Sequence, residues 1–182
     1  MIHCKSIIIS GRPASGKSTL AKAISKRYGL GTFSVGRLWR EKWKTLYPDG
    51  KIAFEDYWKN TSLEENKEMD RKAGGIVKAG GIVADLRFSA AVSDPEVLKI
   101  FIDADLEIRA ERSIEAGRYG KLAAEEIYKI LIERENDEVR MGKRIYGEDY
   151  DYRNSLNYHA VLNSGMLDLE EEINIIGKFI TR

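Results

Sequence analysis

Lys5–Tyr28 reads KSIIISGRPASGKSTLAKAISKRY, and this stretch decides the fold. Ser6–Ser10 is a short β-branched apolar run, the pattern of a strand buried on both faces. Gly11-Arg12-Pro13-Ala14-Ser15-Gly16-Lys17-Ser18 fits G-x-x-x-x-G-K-[ST] at every fixed position. Leu20, Ala21, Ala23, Ile24 and Tyr28 then fall at helical spacing, and Gly29 ends the helix. Strand, tight loop and helix is the context in which this motif binds a phosphate chain. Gly11 and Gly16 let the backbone approach closely, and the helix adds free N–H groups and its positive end. Lys17 would reach the β/γ-phosphates and the Ser18 hydroxyl would ligate Mg²⁺, with Thr19 following in the first turn. A nucleoside triphosphate is the ligand this segment implies.

The chain has 182 residues, 43% hydrophobic and 32% charged, with a formal net charge of +1. That balance gives no bulk argument for a nucleic-acid or membrane partner. No apolar run approaches membrane-spanning length, and the short apolar stretch near the start leads straight into the phosphate loop rather than a signal-peptide pattern. The single cysteine, Cys4, has no partner for an internal disulfide. A cytoplasmic location and a monomer are the corresponding expectations.

Working outward, Gly31–Ser34 is a second strand, and a helix is expected over about Arg37–Tyr47. Phe54, Tyr57 and Trp58 sit in a short helical piece. Thr61 or Ser62 caps another helix running to about Lys78, weakened at Gly74-Gly75. Gly81–Ala84 is a third strand ending on Asp85, which either supports Mg²⁺ or caps a turn, and Arg87 lies two residues on. Leu98–Ile102 is a fourth strand ending on Asp103, with Asp105 capping a helix to about Ala116. Gly117–Gly120 forms a turn, and Leu122–Arg134 is amphipathic, with Ala123, Ile127, Ile130 and Leu131 on one face. The polar run that follows carries Arg134, Arg140, Lys143 and Arg144 among Glu135, Asp137 and Glu138. It is either a solvated face with i,i+4 ion pairs or a set of guanidinium groups that closes over phosphates. Ala160–Asn163 is a fifth strand, and Asp168 caps a last helix with Leu169, Ile173, Ile176 and Ile180 buried. Alternating strands and helices imply an α/β parallel sheet covered on both faces, with a site at the strands' C-terminal ends. Arginines at three separated points, Arg40, Arg87 and Arg134–Arg144, suit a reaction that brings many negative charges together.

The chain resembles nucleoside monophosphate kinases, most closely the archaeal-type cytidylate kinases, over nearly its whole length. The likeness rests on Ser34-Val35-Gly36-Arg37-Leu38-Trp39-Arg40, Asp85-Leu86-Arg87, Glu107–Arg112, Arg134-Glu135, Ile145–Asp149 and Tyr158–Ser164. It implies a P-loop NTPase three-layer fold, a five-stranded parallel sheet flanked by helices. Its core would be 1–35, 79–116 and 149–182, with a monophosphate-binding insert at 36–78 and a lid at 117–148. The implied reaction moves the γ-phosphoryl of ATP to CMP or dCMP, with Mg²⁺. In that scheme Gly11 to Thr19 and Arg112 bind the donor. Ser34, Gly36, Arg40, Asp70 and Arg87 bind the acceptor, and Ser18 and Asp85 hold the metal. Lys17, Arg87, Arg134 and Arg140 act on the transferring group. The chain departs from the family pattern at Ala14, Leu86, Phe88-Ser89-Ala90, Met141 and His159. Two alternatives stand beside this: a same-fold kinase for another acceptor (AMP or a non-nucleotide alcohol), and an ATP-binding module with little transferase activity.

Overall fold

The computed structural model describes residues 4–120 and 122–180. The ends of the expected core spans, and one position of the 117–148 span, lie outside the described residues. Five strands, β1 Ser6–Gly11, β2 Gly31–Ser34, β3 Ile82–Asp85, β4 Val97–Asp103 and β5 Ala160–Asn163, pair in the order β2-β3-β1-β4-β5, all parallel. Seven helices connect and cover them: α1 Lys17–Tyr28, α2 Val35–Leu46, α3 Phe54–Lys59, α4 Leu63–Ala79, α5 Leu106–Glu115, α6 Ala124–Tyr146 and α7 Leu169–Gly177.

The central strand shows why the sheet needs two covers. Ile7, Ile8 and Ile9 are fully buried, and alternation sends them to opposite faces. Ile7 and Ile9 pack with Leu20 and Ile24 of α1 and Ile173 and Ile176 of α7. Ile8 packs with Ala84, Phe101, Val77 and Met141 on the other side. The register aligns Ser34 and Ile9 with Asp85, and Asp103 with Asn163. All the strands therefore end at one edge, where β1 passes into the phosphate loop.

Local signals held at several helix ends. Ser62 and Asp168 are N-caps in full capping boxes with Glu65 and Glu171. Other expectations are corrected. Asp105 sits at the N-cap of α5 without a side-chain hydrogen bond to it. Ala123 and Leu169 are exposed rather than buried, and Ile180 lies beyond the end of α7. The amphipathic segment does not stop near Arg134. It continues as one 23-residue helix, α6, whose polar half buries Glu135 and Glu138. That half is thus not a wholly solvated face.

The paired glycines of α4 answer to different constraints. A Cβ on Gly74 would lie 2.8 Å from the Ala91 carbonyl oxygen, so the helix packs there through backbone contact. A Cβ on Gly75 would meet open space. Alanine raises helix propensity by about 1 kcal/mol at either site. Gly75→Ala is therefore expected to stabilise the fold by roughly 0.5–1 kcal/mol. Gly74→Ala is expected to destabilise it by about 1–3 kcal/mol through the clash. Urea denaturation of the two variants measures both; shifts of the same sign would contradict this packing.

Candidate active site

The phosphate loop is shaped by contacts on both sides of it. A Cβ on Gly11 would lie 2.1 Å from the Ile102 carbonyl oxygen, so glycine is required there by the neighbouring strand, as well as by any ligand. Gly16 has φ 97°, and Ala14 adopts φ 63° without being glycine. That left-handed turn at Ala14 costs about 1 kcal/mol. The amides of Ala14, Gly16, Lys17 and Ser18 donate to no protein acceptor among the described residues. The Lys17 amine donates to the Arg12 carbonyl at 2.5 Å, and the Ser18 hydroxyl donates to Asp85 at 2.6 Å. Asp85 thus faces the loop, and among the described residues its carboxylate accepts from Ser18 and from no turn amide.

A cavity of about 400 Å³ opens over this loop. Gly11, Pro13–Thr19, Ser34, Gly36, Arg40, Asp85, Arg87 and Arg134 line it, joined by four residues that the sequence did not single out: Glu55, Arg118, Tyr119 and Glu138. Five cationic side chains, Lys17, Arg40, Arg87, Arg118 and Arg134, face three carboxylates, Glu55, Asp85 and Glu138. The crowding shows in their acidity. Burial lowers Lys17 to about 8, helped by Arg134 and Arg87 and opposed by Asp85 and Glu138. Burial also lowers Arg40, as do the charges of Arg134, Arg118 and Arg87. Burial works against the charge of Glu138, but Arg87, Arg134 and Lys17 overcome it and hold the group below its ordinary range. An excess of positive charge crowded around one cavity, with free amides beneath it, is a binding site for a polyanion.

Three of the four guanidinium groups are held by contacts from their own elements and neighbours. Ser10, buried in β1, donates to the Arg87 carbonyl at 2.8 Å, and the Tyr158 hydroxyl lies 3.1 Å from Ser10 Oγ. The Arg87 guanidinium then stacks 4.3 Å over Trp58 and pairs with Glu138 at 3.0 Å. Arg134, one turn before Glu138 on α6, reaches the same carboxylate at 3.3 Å. Arg40 donates to the Gly36 carbonyl and lies 5.2 Å from the centre of the Phe54 ring.

Four sequence-predicted residues stand outside this cavity. Arg12 pairs with Asp103 at 2.7 Å and with Glu135. Arg112 donates to Ser164 and to the Ser15 carbonyl, bracing the loop from behind. Arg140 is exposed and pairs with Asp137, because position 140 lies on the outer side of α6. Asp70 accepts from the Tyr146 hydroxyl at 2.6 Å. The residues that depart from the family pattern have structural places. Leu86, Phe88 and Met141 are core residues, and the His159 Nδ1 accepts the Lys99 amide between β4 and β5. A second cavity of about 230 Å³ adjoins the first, walled by Phe54, Trp58 and Ile130 and rimmed by Glu55, Glu133 and Asp137.

Residues 6–166 match the profile of a cytidylate kinase-like family. A cytidylate kinase of Desulfurococcus amylolyticus is 35% identical over 97% of this chain and 92% of that protein. One from Methanocaldococcus jannaschii is 32% identical over 96% of each. Among solved structures, an uncharacterized protein from Eubacterium ventriosum superposes with a TM-score of 0.68 at 16% identity, over 96% of this chain and 97% of that one. This last likeness speaks to the fold alone.

Burial pushes the Asp70 carboxyl up to about 6, against the pull of Tyr146 and Arg87. Its ordinary value is 3.8, so between about pH 4 and 6 the native state binds a proton that the unfolded chain has released. Asp70 therefore makes stability fall as pH rises through that window. Asp70→Asn is expected to gain on the order of 2–3 kcal/mol more at pH 7 than at pH 4 relative to the parent. Parallel stability–pH profiles in denaturant titrations would contradict the shift.

Proposed function

The chain belongs to the cytidylate kinase-like family, and from that membership we propose that it transfers the γ-phosphoryl of ATP to a nucleoside monophosphate, CMP or dCMP. The observation that carries this is a cavity in which a phosphate loop meets cations from the segment after β3, from α2 and α6 and from the turn after α5. A loop for one nucleotide needs only its own amides and Lys17. Four further guanidinium groups facing the same space suit a second phosphorylated molecule.

The division of labour follows from position. The free loop amides and Lys17 hold the donor's phosphates, Lys17 exchanging the Arg12 carbonyl for a phosphate oxygen. Ser18 and Asp85 fit a divalent cation. Their oxygens are already adjacent, and Mg²⁺ is ordinarily held by one or two protein oxygens together with phosphates and water. Among the described residues no cluster of three or more acidic, His or Cys side chains would hold a metal by itself, which accords with such an open site. The ion would supply charge neutralisation for the donor's phosphates. Arg40 and Arg87 hold the acceptor phosphate, and Arg118 and Arg134 neutralise the group in transit. No general base is needed, since the acceptor phosphate is already an anion, and catalysis is alignment and charge neutralisation. The acceptor's base then lies in the apolar cleft between Phe54, Trp58 and Ile130, beside the carboxylates of Glu55 and Asp137. Residues 36–78 form the acceptor-binding insert. Residues 117–148 act as a lid that brings Arg118 and Arg134 onto the reacting groups and excludes water. Arg140 lies outside the cavity, on the outer side of α6, paired with Asp137.

ADP release from ATP·Mg²⁺ across CMP, dCMP, UMP, AMP, GMP and no acceptor tests the reaction. Stimulation greatest with CMP or dCMP is expected. Stimulation by another monophosphate alone would overturn the acceptor, and stimulation by none would overturn the kinase. In the same assay Lys17→Ala is expected to cost about 10²–10³-fold in kcat. Arg87→Ala is expected to lower kcat and raise the acceptor KM together, and a change in neither would remove it from the site.

A further inference from the structure

Behind the phosphate loop lies a third cavity, of about 500 Å³. It shares Ala14, Ser15, Gly16, Thr19 and Arg118 with the reaction cavity, so the two adjoin on either side of the loop. A triphosphate lying along the loop with its γ end in the first cavity directs its nucleoside into this one. Leu167, Leu169 and Ala116 give it apolar walls of the kind that take a flat ring.

Glu172 of α7 lines the same cavity. It is 5% exposed, and its Oε1 is buried with no hydrogen-bond partner. Its neighbours Asp168 and Glu171 are satisfied by the capping box, so α7 does not need this carboxyl at its N-terminus. Arg112, the cation whose charge acts on it, donates instead to Ser164 and the Ser15 carbonyl. Burial pushes Glu172 up to about 7 despite the attraction of Arg112, as befits a carboxyl without a donor. A buried acceptor left unpaired is costly, and such groups ordinarily have a partner.

We propose that Glu172 is a specificity-determining residue that accepts a hydrogen bond from an N–H on the base edge of the donor nucleotide. The inference rests on the assignment of the phosphate loop to a nucleoside triphosphate. Two purines share the chemistry: adenine presents its 6-amino group, and guanine its N1–H and 2-amino group. A purine without N–H donors on that edge presents nothing to the carboxyl.

The test is calorimetric binding of ATP, GTP and purine riboside triphosphate, each with Mg²⁺, to the parent, Glu172→Ala and Glu172→Gln. For the parent, ATP or GTP is expected to bind at least about tenfold tighter than purine riboside triphosphate, as for a hydrogen bond to a charged group. Which of the two does so identifies the base. Glu172→Ala is expected to erase that ratio by weakening the amino-bearing nucleotide while leaving purine riboside triphosphate unchanged. Glu172→Gln, which keeps an acceptor oxygen and the side-chain volume, retains part of it. Equal parent affinities for all three, or a loss in Glu172→Ala that is the same for all three, would overturn the proposal. A loss that follows removal of the ribose hydroxyls, measured with 2′- and 3′-deoxy-ATP, would also overturn it. No turnover is required, so a failure of the kinase assignment would leave this binding ratio intact.

Discussion

Two glutamates on one helix hold the site together. Glu135 and Glu138, three positions apart on α6, are both buried, and arginines from all over the chain converge on them. Glu135 meets Arg12 of the phosphate loop, Arg109 of α5 at 3.4 Å and Arg153 at 3.0 Å. Glu138 meets Arg87 after β3 and Arg134 of α6 itself. A buried carboxylate of this kind is favourable only while its partners are present, and loss of one side of such a pair typically costs about 3–5 kcal/mol. The helix is therefore tied to the loop and to the strand ends by charge, while Ile127, Leu131 and Met141 tie it by apolar packing.

This arrangement orients the Arg87 and Arg134 guanidinium groups before any ligand arrives. Arg87 is fixed at its backbone by Ser10, at its face by Trp58 and at its edge by Glu138. A pre-oriented cation loses less freedom when it meets a phosphate, which is where catalysis by alignment gains most. The aromatic group around Phe88, with Tyr146, Tyr150 and Tyr152 in edge-on contact, packs under the same helix. It gives the polar face a rigid floor and leaves Asp70 facing Tyr146.

Much of this was legible in the sequence because its causes are local. The phosphate loop declares itself through glycine spacing and flanking periodicity, and the capping boxes at Ser62 and Asp168 through residues three apart. The β2 strand at Gly31–Ser34 and the β5 strand at Ala160–Asn163 also fall where the apolar pattern puts them. What could not be read was which charged residue faces which. Arg134 and Glu138 share a face of α6 by the i,i+4 rule, but only tertiary packing turns that face inward and Arg140 outward. Arg118 carried one signal, a cation in a turn flanked by Gly117 and Gly120, and nothing local linked that turn to the loop. Glu55 and Trp58 of α3 gave only the pattern of a short helix. Their place beside Arg87 follows from how α3 docks, a long-range fact.

In the proposed reaction, donor and acceptor phosphates share one pre-built, cation-lined cavity. The most direct measurement is calorimetric binding of a bisubstrate nucleotide, in which adenosine and cytidine are joined through a five-phosphate bridge, compared with ATP and CMP singly. One cavity spanning both sites predicts an affinity at least about 10²-fold above that of either nucleotide alone. An affinity no greater than that of ATP would mean that the arginines around the loop do not serve a second phosphate, and would contradict the account.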